Sequence, residues 1–410
     1  MVKELEELLK QNRYGEYDRD NFDRYSSKRK LNPHCPVIHI AGSNGKSSVA
    51  HFLEAIYKEA GYKVGLFLSP SLYEANDSIR FDGKNITDEE LSKIYNENCK
   101  DFEKYGLTSF EILVALCYRY FEQKKPDIAI VECGMGGVLD ATNLEDLDTR
   151  LSIVTSVSLE HTGYLGTTLS QIALHTAGII KAEVPVLVGR LDDESLGILR
   201  DEAKSYNSPF TIVERFYFDH LTEEAFLFDY GSYKNLGINT DAYYQIRNAS
   251  IAVEAAYELR HDFPYEEEAL RKGLMVAPLP LRFEQAGNIA FDGAQNPEAV
   301  EALVRCIPTL AQGRPVHVLF ASFREKNIAV ELPTIANAVS DITLTTFDHP
   351  LARGEDDYFL YAGDHPFEGD ALAALAHLKE QFPDDILLVT GSLEFCADLK
   401  AKAKKAGLLQ

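Results

Sequence analysis

The stretch VIHIAGSNGKSSVAHFLEAIYKEAG, Val37 to Gly61, decides the reading of this chain. An apolar run, Val37–Ala41, enters a turn with two glycines and a lysine, and an amphipathic segment, Ser47–Ala60, follows. Strand, glycine-rich turn and helix is the layout of a phosphate-binding loop. Backbone N–H groups of such a turn converge on one spot, with the positive end of the helix dipole behind them. Gly42 and Gly45 let the backbone approach a phosphate without a Cβ in the way. Ser43 and Asn44 lie between them, Lys46 adds a point charge, and a hydroxyl at Ser47 or Ser48 can hold Mg²⁺ or a phosphate oxygen. The general pattern G-x-x-x-x-G-K-[ST] places a glycine where this chain has Ile40. Taken alone, the motif reads equally well as a tight turn carrying a solvated lysine.

A second acidic element tips that balance. DIAIVECGMGG ends an apolar strand in Glu132 and follows it with glycines. A carboxylate at the C-terminal end of a neighbouring strand is where a Mg²⁺ ligand for the same nucleotide belongs. Together the two stretches indicate an ATP site.

Outward from this site the alternation of apolar strand, turn and amphipathic helix continues. Strands are expected at Val37–Ala41, Lys63–Leu68, Asp127–Glu132, Ser152–Val157 and Pro185–Val188, with helices at Ser47–Ala60, Ser109–Gln123 and Tyr243–Leu259. This pattern predicts a parallel sheet wrapped by helices. Ile198–Asn239 is poorly periodic and takes no assignment. VAPLPLRFEQAG, Val276–Gly287, is proline-rich and reads as an interdomain hinge. The alternation then restarts with strands at Asn288–Phe291, Val316–Ala321, Ile342–Thr346 and Ile386–Thr390, and helices at Pro297–Ala311, Ala371–Phe382 and Phe395–Ala406. The expected architecture is α/β: an N-terminal P-loop ATPase domain over residues 1–277, a linker at 278–287, and a smaller Rossmann-like α/β domain at 288–410.

Sixty-four acidic residues face 41 basic ones, a net charge of -23. That excludes a nucleic-acid binder, which needs a basic footprint. The opening MVKELEELLKQNRY reads as a polar helix, without the apolar core of a signal peptide. No apolar run reaches membrane-spanning length. The six cysteines form no C-x-x-C pair, as expected of reduced core thiols. A cytoplasmic monomer is the expectation.

The segments AGSNGKSS, LFLSPSL, VECGMGGVLDATN, LEHTGYLG, TAGIIK, RFE and DGAQNP stand in the order and spacing of the Mur-ligase superfamily, and more narrowly resemble dihydrofolate synthase/folylpolyglutamate synthase. That superfamily uses a short form, G-x-N-G-K, so Ile40 is no obstacle. The resemblance implies an ATP- and Mg²⁺-dependent ligase that joins glutamate to a folate or dihydropteroate carboxylate through an acyl phosphate. It implies Lys46, Glu132 and His161 as catalytic, and Ser69, Glu132 and His161 as metal ligands, His161 being unusual for an ion that prefers oxygen. Gly42–Ser48 resembles the triphosphate cradle. Gln245 and Asn248, in YYQIRNA, resemble nucleotide contacts, as do Arg282 in RFE and Asp292 in DGAQNP. Thr108 and Phe110, in LTSFEIL, resemble a stretch near the pterin; Thr108 reads equally well as a helix N-cap.

The resemblance also breaks at several places. Where the family has a carbamylated lysine that serves a second Mg²⁺, this chain has Thr176, preceded by His175. Gln295 replaces a histidine in DGAQNP, Val138 an arginine in GGVLDATN, Ser71 a histidine in LSPSL, and Leu281 the glycine of the linker, while Glu160 stands for an aspartate. Three readings follow. Replacement ligands such as Glu160 or His175 sustain the same chemistry, the acceptor differs, or the chain is a nucleotide-binding paralogue with impaired catalysis.

Overall fold

The computed structural model describes residues 18–222, 225–361 and 363–409. The polar helix expected over Met1–Tyr14 lies outside the described residues. The chain divides into two compact units.

Of the described residues, the first unit holds 18–219, then Leu227–Ile238 and Arg247–Ala277. Its strands are β1 (Val37–Ala41), β2 (Val64–Phe67), β3 (Ile79–Phe81), β4 (Lys84–Asn85), β5 (Ile128–Glu132), β6 (Thr149–Val154), β7 (Val186–Val188) and β8 (Phe210–Ile212). They form one sheet in the order β4-β3-β2-β5-β1-β6-β7-β8. β2, β5, β1, β6, β7 and β8 run parallel, while β3 and β4 add an antiparallel edge. β1, β2 and β5 are buried along their whole length, which is why they read as continuous apolar runs rather than alternating ones. The helices Lys46–Glu59, Asp88–Tyr105, Ser109–Lys124, Leu169–Ala177 and Asp193–Ser205 make the connections. Ser109–Lys124 starts where the sequence places it because Thr108 and Glu111 form a capping box.

The poorly periodic stretch resolves into the end of Asp193–Ser205, the strand β8, and three short strands, β9 (Tyr217–Leu221), β10 (Phe226–Tyr230) and β11 (Tyr233–Ile238), in one small sheet.

The second unit comprises His220–Phe226, Asn239–Ile246 and Pro278–Gln410. A single division near residue 278 is what the sequence suggests; instead two short upstream segments group with this unit. Ala242 and Tyr244 explain one of them, since both pack into its apolar core. The strands β12 (Arg282–Ala286), β13 (Ile289–Asp292), β14 (Val316–Phe320), β15 (Asp341–Thr345), β16 (Phe367–Glu368) and β17 (Ile386–Thr390) take the order β12-β13-β17-β14-β15-β16. β12 is antiparallel to β13 and the others pair parallel. The hinge stretch is thus part strand. Leu281 and Phe283, on either side of Arg282, hold left-handed backbone with φ of 55° and 61°. Leu281 is fully buried, so its packing offsets the strain that the family's glycine would avoid. Asn296 caps the helix Pro297–Ala311 by accepting from the Ala299 N–H at 2.9 Å.

Candidate active site

The loop after β1 is tied down by the segment after β6. Ser43 N–H donates to Ser156 O at 2.9 Å, and Asn44 N–H to Ser156 Oγ at 2.8 Å. Thr155 Oγ1 donates to Asn44 O at 2.7 Å, and Ser158 N–H to Ser43 Oγ at 2.9 Å. Hydroxyls at 155 and 156 and the backbone N–H of 158 thus fix the loop's shape. The sequence reading missed them, though a hydroxyl-rich TSVS directly after an apolar strand was the available signal.

Gly42 and Gly45 are left-handed, with φ of 128° and 89°. A Cβ on Gly42 would stand 2.4 Å from Thr155 Oγ1, and one on Gly45 would stand 2.4 Å from Asn248 Oδ1. Both positions therefore need glycine for conformation and for space. Asn248, expected as a nucleotide contact, stands on the helix Tyr244–Glu258 with its Oδ1 against Gly45. The Lys46 ammonium lies over the loop, donating to Gly42 O at 2.7 Å and Ser43 O at 3.2 Å. Ser48 is buried in the first turn of the helix. Ser47 Oγ donates to Glu132 Oε1 at 2.9 Å, so the half-buried helix start is tied to the buried end of β5.

The other expected ligands follow from topology. β2, β5, β1 and β6 are adjacent and parallel, and Ser69, Glu132, Gly42–Ser48 and His161 all leave from their C-terminal ends. That edge is where open α/β sheets bind ligands. His161 has left-handed backbone and precedes the short helix Thr162–Leu165. Among the described residues no group of three or more His, Cys, Asp or Glu side chains could hold a metal ion; the donors here are hydroxyls with one carboxylate. Thr108 is an N-cap, its Oγ1 accepting from Glu111 N–H at 3.3 Å. Phe110 packs on Phe67 with ring centroids 6.3 Å apart, and a Cβ on Gly134 would meet its ring at 2.5 Å. It therefore lies at the same edge, where β2 and β5 end.

The turn after Glu132 hangs on Asp140. Its carboxylate accepts from Met135 N–H at 2.8 Å, Thr142 N–H at 2.9 Å and Thr142 Oγ1 at 2.5 Å. Burial pushes this acid up from its ordinary range, against the pull of those bonds. Thr142 Oγ1 also lies 2.9 Å from His39 Nε2, and Cys133 Sγ is 3.1 Å from the same nitrogen. Burial drives His39 down to about 3 and the Cys133 thiol well up, so both are neutral packing groups near neutral pH. All six cysteines are free thiols.

The turn also abuts the helix Leu169–Ala177. Val138 N–H donates to His175 O at 2.9 Å, and Asn143 Nδ2 bridges Gly137 O at 2.9 Å and Gly178 O at 2.8 Å. Thr176 is buried, and its Oγ1 donates to Ile172 O at 2.8 Å. This hydroxyl is spent inside its own helix. Val138 and Leu139 are exposed.

The remaining expected residues belong to the second unit. Gln245 is fully buried. Asp292, at the end of β13, accepts from Tyr244 OH at 2.5 Å and from Ala294 N–H at 2.9 Å. Burial raises its pKa, with the Tyr244 bond and the Arg282 charge opposing. Arg282 and Asp292 are cross-strand partners of β12 and β13.

Comparison with known proteins agrees with this geometry. The Mur ligase middle domain family matches residues 40–255. The chain is 31% identical over 401 residues to the dihydrofolate synthase/folylpolyglutamate synthase of Bacillus subtilis (strain 168), covering 90% of each. It is 30% identical to the folylpolyglutamate synthase of Lacticaseibacillus casei, covering 87% of each. The structure of E. coli FolC in complex with DHPP and ADP superposes with a TM-score of 0.86 at 25% identity, covering 99% of this chain and 97% of that one.

Proposed function

The chain belongs to the dihydrofolate synthase/folylpolyglutamate synthase family of Mur ligases, and from that premise we propose which residues carry its reaction. It is an ATP-dependent acid–amino-acid ligase that adds L-glutamate to a folate or dihydropteroate carboxylate. The γ-phosphoryl group of ATP passes to the acceptor carboxylate. The amine of glutamate then forms the amide, and phosphate leaves with the carboxylate oxygen it had taken.

The residues fit ATP and Mg²⁺. Gly42 and Gly45 let the loop close against Thr155, Ser156 and Asn248, where a Cβ would collide, and Ser47 with Glu132 is the all-oxygen donor pair that Mg²⁺ takes. When bound, the metal would neutralise charge on the phosphates. Around it the protein's part is positioning, which phosphoryl transfer needs more than a covalent nucleophile. The Ser43 and Asn44 amides are taken by Ser156, so the amides of Gly45–Ser48 are the ones that would direct N–H groups at the phosphates, with the Lys46 ammonium beside them. Ser47 and Glu132, with Ser69 and His161 on the same edge, are the residues that would hold the ion. Asn248 fixes Gly45. Gln245, Arg282 and Asp292 are proposed as nucleotide contacts, and Phe110, with Thr108 shaping its helix start, as the acceptor contact.

Position 176 does not fit a second ion held through a carbamate. Thr176 has no amine, and its hydroxyl is bonded within its helix. No step is drawn through that ion. We further propose a monomer that acts in the cytoplasm on small molecules and not on nucleic acid. The acidic balance of the chain supports this, and none of the described helices is long and apolar enough to cross a membrane. Residues 1–277 would serve ATP, 278–287 link, and 288–410 serve glutamate.

The observation that carries the reading is the 2.9 Å contact of Ser47 with Glu132 under a loop that admits only glycine at 42 and 45. A coupled ADP assay tests it, using dihydropteroate and folate acceptors with and without glutamate. ADP release that needs both acceptor and glutamate is expected; release independent of the acceptor would overturn it.

A further inference from the structure

We propose that Arg19 is a positioning residue for the turn that begins at Glu132. Its role was invisible in the sequence, and it lies more than a hundred residues from the three carbonyls it holds. Its Nη1 donates to Asp140 O at 2.9 Å and Val138 O at 3.3 Å, and its Nη2 to Asn143 O at 3.0 Å. Nε donates to Asp23 Oδ1 at 2.9 Å, within the helix Asp20–Arg29. One planar fork thus reads three carbonyls of one loop while an acid on its own helix fixes its plane. A point-charged ammonium could not do this.

The turn needs such a restraint. Gly134, Gly136 and Gly137 fall within four residues, and glycine loses the most backbone freedom when ordered. Asp140 pins the inner side through Met135 and Thr142, and Asn143 pins Gly137 to Gly178. The carbonyls of Val138, Asp140 and Asn143 face the other way, and Arg19 takes all three. The same loop exposes Val138 and Leu139, apolar side chains that favour collapse unless the backbone is held. Because the loop continues directly from Glu132, a shift in it re-aims the carboxylate that Ser47 meets. Misplacement of about 1 Å near the chemistry costs roughly a hundredfold in rate.

The test has two readouts. Backbone hydrogen exchange reports the loop itself. Steady-state kinetics report its consequence, and only this arm rests on the ligase reading. In Arg19→Met the amides of 134–143 are expected to exchange roughly tenfold faster or more than in the wild type, at a temperature where both are folded. kcat should fall roughly ten- to hundredfold, with KM for ATP within about threefold, since the phosphate loop is fixed separately by Thr155 and Ser156. Arg19→Lys, which keeps the charge and loses the fork, should recover only part of either effect. Asp23→Ala frees the guanidinium without removing it and should give the same pattern at lower amplitude; with Arg19→Lys it decides the matter if Arg19→Met does not fold. Unchanged exchange over 134–143 overturns the proposal. So does a loosened loop with wild-type kcat. If the wild type itself shows no ligase activity, the functional reading fails while the exchange result still decides whether Arg19 holds the turn.

Discussion

Glu132 stands between two glycine-rich loops that have kept different things. On one side Gly42–Ser48 holds left-handed glycines, a lysine over the loop, and a hydroxyl on the carboxylate. On the other side, Gly134–Asn143 has its backbone held by side-chain hydrogen bonds. Asp140 still ties Met135 and Thr142, and Asn143 still bridges Gly137 and Gly178. Yet the side chains it presents are apolar, Val138 and Leu139, and the neighbouring helix offers Thr176 turned in on itself. A loop's shape rests on internal hydrogen bonds that are costly to break when buried. The charges it displays are exposed and change freely. The nucleotide side should therefore be intolerant of substitution, and the other side open to being rebuilt.

The largest effect should come from Lys46→Ala. It removes the one cation in the phosphate loop, and acceptor-dependent ADP release should fall on the order of a thousandfold. Turnover within tenfold of wild type would break the contrast at its stronger end. Gly45→Ala comes next. It forces a Cβ into left-handed backbone at φ 89° and to within 2.4 Å of Asn248 Oδ1. The backbone alone costs about 1–2 kcal/mol, and with the collision nucleotide affinity by calorimetry should drop roughly a hundredfold. Gly197→Ala is the matched control. This glycine lies within the helix Asp193–Ser205, and an added Cβ meets nothing within 4 Å. There the same change should stabilise by about 0.5–1 kcal/mol and leave affinity alone.

The opposite loop should respond in the other direction. Thr176→Lys supplies the amine whose carbamate the family uses, at the loss of the Ile172 bond and some crowding. Stability should fall by about 1–2 kcal/mol, while turnover in bicarbonate rises several-fold over turnover without it. Equal rates with and without bicarbonate would show that the missing charge is not limiting and that His175 or Glu160 already serves.

Legibility follows the same divide. β1, β17 and the helix Pro297–Ala311 have the expected bounds, because buried parallel strands read as apolar runs and Asn296 with Pro297 marks a helix start. The strands β8 to β11 were unreadable. They are short and partly exposed, so neither period nor run length singles them out. Arg282–Ala286 hid behind the prolines of the linker, and no composition announces left-handed backbone at Leu281 and Phe283. At the candidate site, motifs singled out Gly42 to Ser48, Glu132 and Asn248, and the fold sets them side by side. Arg19, Thr155 and Ser156 act largely on backbone carbonyls and amides, which leave no mark on the sequence of their partners.

A third buried acid, outside both loops, sharpens the comparison by showing what burial does without a partner. Glu331 in the helix Ile328–Ala336 is fully buried, and neither carboxylate oxygen has a hydrogen-bond partner. Desolvation raises it from 4.5 to about 7, with the charges of Lys326 and Arg353 opposing. The folded state therefore holds this proton more tightly than the unfolded chain does. The stability it contributes is full below the unfolded value of 4.5 and is lost as pH rises through about 7. Glu331→Gln keeps the shape and cannot ionise. Its stability advantage over the wild type should widen by about 2–3 kcal/mol between about pH 5 and pH 8, read as urea midpoints across pH. Turnover per folded molecule should stay within about twofold, the smallest functional change of the series, because this acid meets no hydroxyl and ends no strand at a phosphate loop. An advantage that does not change with pH would mean the carboxylate is ionised and solvated. A collapse of turnover would mean that burial alone had concealed a second functional acid, and Glu132 would lose its distinction.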